Sequence, residues 1–253
     1  MKDQMLDAYK QFLDNRATIS QRGPLAPYGW YKLPDPLPSQ WMAYSQMLSE
    51  HSRELANSIN ELLRYITNLE AWQGVIDGKD DDGKHKIIIE FVSPFATLAI
   101  NMPYVIRSRF IYSVAHLCHQ ANKIKQTKWV DDLPLDGEIY FNTPDKYCTL
   151  WKRYKKLKLA LEKISSKKFQ SDTDDFRNKY NHRYSPRIEL GLTELVRRRV
   201  GDDGTVSYGF GYTKPLKIDR LLPALTQQHA NCLKAFEEYR KLMNEHISAI
   251  GQA

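Results

Sequence analysis

The sequence predicts an all-α fold, an antiparallel bundle of four to five main helices with two β-hairpin decorations. Three observations predict it. Long stretches place apolar residues every three or four positions, the spacing of one buried helical stripe. The 253 residues are 42% hydrophobic, enough for a sizeable core. Each stripe must be buried against another, and several long stripes joined by polar or Pro/Gly connections satisfy one another as a bundle.

Taken in order, residues 1–20 read as an amphipathic helix with Met5, Leu6, Tyr9, Phe12 and Leu13 on one side. Residues 21–38 hold five prolines and two glycines. Proline fixes φ and removes a backbone donor, so this stretch is extended. Its Tyr28, Trp30 and Tyr31 mark it as a strap packed on the body. Residues 1–38 are therefore expected as an N-terminal helix and strap, and residues 39–253 as the helical domain. Ser39 is placed to cap a helix over about 40–72, with Trp41, Tyr44, Leu48, Leu55, Ile59, Leu62, Ile66 and Leu69 inward. Residues 73–92 change character: Val75-Ile76, a Gly/Asp-rich stretch from Gly78 to Gly83, then an apolar run from Ile87 to Val92 read as a first hairpin.

Ser93-Pro94 opens the next helical region, which Pro103 is expected to break or kink before a main helix over about 103–126. Thr143-Pro144-Asp145 is a helix start, and Tyr147, Leu150, Tyr154, Leu157, Leu161 and Ile164 continue it as an apolar seam. A short helix over about 172–184 must stop before Pro186. Residues 193–213 read as a second hairpin around the turn Gly201-Asp202-Asp203-Gly204. The last helix, about 220–249, carries a seam from Leu222 to Ile247.

Charge narrows the partners. Between residues 152 and 199 there are 15 Lys/Arg against 6 Asp/Glu, a net of +9, so the remainder of this +7 chain is about −2. A basic block on a near-neutral chain fits a polyanion, nucleic acid before membrane, although a solvated helical face has the same composition. The cysteines Cys118, Cys148 and Cys232 are too few and too scattered for a disulfide framework and fit a reducing cytoplasm. The acidic residues Asp3, Asp7 and Asp14 argue against a signal peptide. No run of 18 apolar residues occurs, so no membrane span is expected.

The chemistry concentrates on the stretch from Asp175 to Pro186. On an ideal helix with Arg177 at zero, Asn181 falls near ~40°, Asn178 near ~100° and His182 near ~140°, a continuous polar arc. Tyr184, Tyr180 and Phe176 fall between about 340° and 260°, an aromatic back. The arc suits a phosphate ester. Arginine offers a planar charged fork to phosphate oxygens, histidine moves a proton near neutral pH, and Asn178, four residues before His182, is placed to orient the ring. A surface-polar helix with an ordinary histidine is the plainer alternative. Two other pairs, His116/His119 and His229/Cys232, have the spacing of half a zinc site each, but His229 and Cys232 also continue an apolar seam.

Arg177-Asn178-Lys179-Tyr180-Asn181-His182 resembles the signature of the HEPN superfamily, in which an arginine, a polar residue and a few further residues precede a histidine. With Arg183-Tyr184 it resembles the longer form of HEPN toxins paired with minimal nucleotidyltransferase antitoxins. The motif covers about eight residues, and the N-terminal 38 residues and the hairpins go beyond a minimal unit of that kind. The resemblance implies an all-α bundle and RNA cleavage without metal or other cofactor, in a toxin–antitoxin or defence setting. It implies a homodimer with a composite site and, as partner, RNA and a nucleotidyltransferase-type antitoxin, in the cytoplasm that the cysteines already suggest. Arg177, His182 and Asn178 are then catalytic, Tyr184 is the modification site, and Lys179, Arg183 and Arg187 hold RNA. A catalytically silent module that binds RNA, nucleotide or a protein partner, and an unrelated helical interaction protein, are the alternatives.

Overall fold

The computed structural model describes residues 2–20 and 23–252. The chain is mostly helical with a small two-stranded antiparallel sheet. In order come α1 (Lys2–Thr18), α2 (Met42–Ile76), α3 (Asp81–Ile87), α4 (Ser93–Ala121), α5 (Thr143–Cys148), α6 (Tyr154–Leu161), α7 (Lys167–Asp172), α8 (Phe176–His182), strands β1 (Val196–Val200) and β2 (Val206–Phe210), and α9 (Ile218–Ile250).

The chain forms two compact units. The first comprises Met1–Arg22, Arg64–Asn101 and Lys167–Thr226, and the second comprises Gly23–Leu63, Met102–Ser166 and Gln227–Ala253. Compactness therefore divides the chain differently from the expected boundary after residue 38. The Pro-rich segment from Gly23 belongs with residues 102–166, and α1 belongs with residues 64–101 and 167–226.

In the first unit, Trp72 is fully buried between two parallel rings. Phe12 of α1 stacks on one face at 4.4 Å and Phe91 on the other at 4.5 Å. Such three-ring stacking adds to the large apolar area that each ring removes from water. It also explains why residues 73–92 form no hairpin. Helix α2 continues to Ile76, Asp80 caps α3 by accepting a hydrogen bond from the Gly83 amide at 2.9 Å, and a π-helical turn over Ile88–Val92 runs into α4. Burial there follows a helical pattern, with Ile87, Ile88 and Val92 inside and Ile89 exposed. A run of five or six apolar residues fits a strand or a buried helical turn equally well, and packing of Phe91 on Trp72 selects the helix. The second expected hairpin is present, as β1 and β2 around the Gly201–Gly204 turn.

In the second unit, Trp41, Tyr44, Leu48, Leu55 and Ile59 are buried, as are Ile106, Phe110, Val114 and Leu117 of α4 and Phe236, Tyr239 and Met243 of α9. The buried Tyr239 hydroxyl accepts from Ser113 at 3.1 Å and lies 3.4 Å from Ser52. The strap packs here. The Ala26 amide donates to Asn60 at 2.7 Å, the Tyr28 hydroxyl donates to Asn57 at 2.9 Å, and Trp30 sets its ring at 6.2 Å from Tyr239.

Two helix boundaries differ from expectation. Pro103 lies inside α4, which runs unbroken from Ser93. The expected helix from Thr143 to Ile164 is interrupted between α5 and α6. There the Glu245 carboxylate accepts from the amides of Lys152 and Arg153, both at 3.0 Å. A carboxylate from α9 thus satisfies the donors that a new helix start exposes. The continuous helical stretch Asp81–Ile124 is long and apolar enough by composition to cross a bilayer, and less than half of its most apolar part is buried in the fold. The expectation of no such segment, drawn from uninterrupted apolar runs, does not carry over to this helix.

Candidate active site

Helix α8 belongs to the first unit and is only seven residues long. Its sequence alone cannot hold it, since isolated helices of this length are unstable in water. Its own packing and the turn before it hold it. Phe176 is buried and stacks on Tyr180 at 5.9 Å. The Thr173 hydroxyl donates to the Phe169 carbonyl at 2.8 Å, ending α7. Arg220, in the first turn of α9, clamps the entry to α8. Its two terminal nitrogens donate to the two Asp174 carboxylate oxygens at 2.9 and 3.0 Å, and one also reaches the Ser171 carbonyl at 2.9 Å.

The clamp acts on a strained place. Asp174 and Asp175 both have left-handed backbone, with φ of 51° and 52°. Aspartate tolerates this region better than most residues, but two in succession need outside support. Arg220→Ala should therefore loosen α8 before it loosens the fold. The expected result is faster hydrogen exchange at the 176–182 amides with a change in global stability of about 1 kcal/mol or less, as for other exposed ion pairs.

Arg177, Asn178, Asn181 and His182 are all exposed, as the helical projection requires. They do not form one cluster on a single copy of the chain. Arg177 and His182 stand at opposite ends of α8, about 140° apart around its axis. Asn178 does not orient His182: its amide nitrogen donates to the Asp175 carboxylate at 2.9 Å. The aromatic back docks mainly through Phe176, and Tyr180 keeps 44% of its surface.

Tyr184 lies beyond the end of α8. Its hydroxyl is shielded from solvent, against the Glu194 carboxylate but short of a well-formed hydrogen bond. Burial raises the phenol pKa, and Glu194 raises it further. The hydroxyl that the resemblance marks for modification is thus shielded by packing in this structure. Glu194 is in turn held below the usual carboxylate range by Tyr184, by the Thr213 hydroxyl that donates to it at 2.8 Å, and by Arg197 and Lys179. Lys179 is half-buried and serves this carboxylate, whereas Arg183 and Arg187 are exposed.

The segment after α8 is fixed at the start of α9. Ile188 bridges to Leu216, and the Glu189 carboxylate accepts from the Ile218 amide and lies 3.3 Å from Lys217. A carboxylate at a helix N-terminus is favourably placed. This leaves Arg187 on the rim of a groove of about 470 Å³, lined also by Ile89, Ser93, Leu98, Tyr180 and Pro186. Ile89 comes from the π-helical turn.

The histidine–cysteine pairs go elsewhere. Among the described residues, no three His, Cys, Asp or Glu side chains are grouped to hold a metal ion. His116 lies 3.3 Å from Asp136, His119 lies 2.9 Å from Asp131 and packs on Trp129, and His229 and Cys232 are buried in the core of the second unit. The sequence reading missed Arg220, Asp174 and Glu194. Only the Asp174-Asp175 pair before the motif carried a local signal, as a residue type that accepts left-handed backbone. Comparison with protein-family models, with curated proteins and with solved structures finds no match.

Proposed function

We propose that the chain is a metal-independent endoribonuclease of the HEPN type, acting as a cytoplasmic homodimer in a toxin–antitoxin or defence setting. One observation carries the reading. Arg177, Asn178, Asn181 and His182 are exposed together on a helix whose Phe176 is buried and whose entry is clamped by Arg220. A second copy presenting the same side supplies what one helix cannot, an arginine and a histidine facing one phosphate.

In that composite site the RNA 2′-oxygen attacks the adjacent phosphorus and its proton passes to His182. The Arg177 guanidinium pairs with the non-bridging oxygens as charge develops on them. The bond to the 5′-oxygen breaks, and that oxygen takes a proton from an imidazolium of the site. The products are a 2′,3′-cyclic phosphate and a 5′-hydroxyl. Arg183 and Arg187 hold flanking phosphates, so binding weakens steeply with salt. A nucleotidyltransferase-type antitoxin is the proposed protein partner. A catalytically silent RNA- or nucleotide-binding module is the second reading, favoured by Asn178 engaging Asp175 and leaving the His182 ring unoriented.

The test is incubation of the purified chain with end-labelled RNA in EDTA, followed by analysis of the fragment ends. Cyclic phosphate ends support the proposal. Intact RNA at all protein concentrations, or fragments ending in a 3′-hydroxyl, overturns it.

A further inference from the structure

The hairpin presents a face that nothing in its unit covers. Residues directly opposite in an antiparallel pair share a face, and the register pairs Val196 with Phe210, Arg198 with Tyr208, and Val200 with Val206. These six side chains form one surface. Phe210 is 91% exposed and Tyr208 71%, and the three valines keep 45–58% of their surface. A solvated strand face ordinarily carries polar residues. Here the one charged side chain among the six is an arginine, at the centre and beside a tyrosine.

The chemistry of the face selects its occupant. It carries Arg198 and no carboxylate. Asp202 and Asp203 lie at the turn, and both Asp203 oxygens are taken by Thr205, at 2.9 and 2.8 Å. Arg197, on the other face, is tied to Glu194 at 3.3 Å and to Thr213. A second copy docked about a two-fold axis along the line from Arg198 to Tyr208 would set Arg198 against its own counterpart inside an apolar contact, which like charges oppose. Single-stranded RNA has what the face lacks: aromatic bases for Phe210 and Tyr208, and phosphates for Arg198. The two rings stand two residues apart on one strand, about 7 Å, so each takes its own base.

We infer that this face of the hairpin is a base-stacking platform for single-stranded RNA. The base of the hairpin lies near the end of α8, where Glu194 interacts with both Tyr184 and Lys179. The choice of RNA rests on the proposed function, but binding does not require cleavage, since a chain that cleaves nothing would still bind here.

The test uses the full chain and a fluorescein-labelled 2′-O-methyl oligouridylate of fifteen residues, which has no 2′-hydroxyl to attack, so that binding is read apart from cleavage. Anisotropy titration is compared for wild type, the Tyr208→Ala/Phe210→Ala double variant, Tyr208→Phe and Arg198→Ala, with circular dichroism and thermal unfolding as a check of folding. Loss of two stacking contacts should weaken binding about 30-fold or more, whereas Tyr208→Phe should bind like wild type. Arg198→Ala should reduce the dependence of log affinity on log salt by about one unit. A folded double variant that binds as tightly as wild type overturns the inference. So does a wild-type chain that fails to bind in 50 mM salt. Sedimentation supplies the third overturning outcome: if the double variant is monomeric where wild type is dimeric and RNA affinity is unchanged, the face is an interface between copies.

Discussion

His182→Ala should lower the rate of RNA cleavage by about 10²–10⁴-fold, the usual contribution of a positioned general acid or base. The ring is exposed and no hydrogen bond to it occurs among the described residues, so its removal opens no cavity. Thermal unfolding should therefore match wild type, which separates a lost reaction from a lost fold. Arg177→Ala should act through charge on the phosphorane and lower the rate by about 10²–10³-fold. Arg177→Lys should recover little of it, because an ammonium keeps the charge but not the planar fork. Mixing the two alanine variants before assembly tests the composite site itself. If arginine from one protomer works with histidine from the other, activity returns in the mixture, and if each protomer works alone it does not. Cleavage by His182→Ala at the wild-type rate would sink the assignment of the proton to this ring.

What the sequence makes legible is the local periodic part of the fold. The stripe of α9, from Leu222 through Phe236 to Met243, is buried where its spacing puts it. The polar arc of α8 is exposed as projected. The parts that escaped depend on residues far away in sequence. Ile87 to Val92 is helical because Phe91 has Trp72 to stack on. The seam from Tyr147 to Ile164 is cut in two because Glu245, 93 and 92 positions away, takes the Lys152 and Arg153 amides. Arg220 reaches Asp174 across 46 positions. No spacing rule encodes these pairings. The α8 residues could be named from their order, but the clamp that aims them could not.

Acidification from pH 7 to 5 should destabilise this chain through its buried histidines. His246 is fully buried in the second unit. Its Nδ1 is 3.0 Å from the Tyr44 hydroxyl, its Nε2 is 3.7 Å from the Cys118 sulfur, and its ring lies 4.1 Å from that of Trp151. Burial, helped by Lys125, pushes its pKa down to about 3. In the unfolded chain the same ring titrates near ~6.5. Between these values the unfolded state binds a proton that the folded state refuses, so stability rises with pH across the window. The contribution is complete above about pH 6.5 and is lost progressively as pH falls toward 3. At pH 5 the loss from this group alone is about 2 kcal/mol, from ~1.4 kcal/mol per pH unit. His229, pushed down to about 4 by burial, acts in the same direction, as do His51 and His116. The carboxyls Asp132, Asp145, Glu194 and Asp203 are held below their ordinary range, so what they contribute is lost only below the ordinary carboxylate range and the interval from pH 5 to 7 is left to the histidines. Urea unfolding at pH 7.5 and pH 5 measures the difference. The acid loss should shrink by about 2 kcal/mol in His246→Gln, whatever that substitution costs at pH 7.5. An unchanged acid loss in the variant would show that His246 takes up its proton in the folded state, and that its contact with Tyr44 survives as an imidazolium.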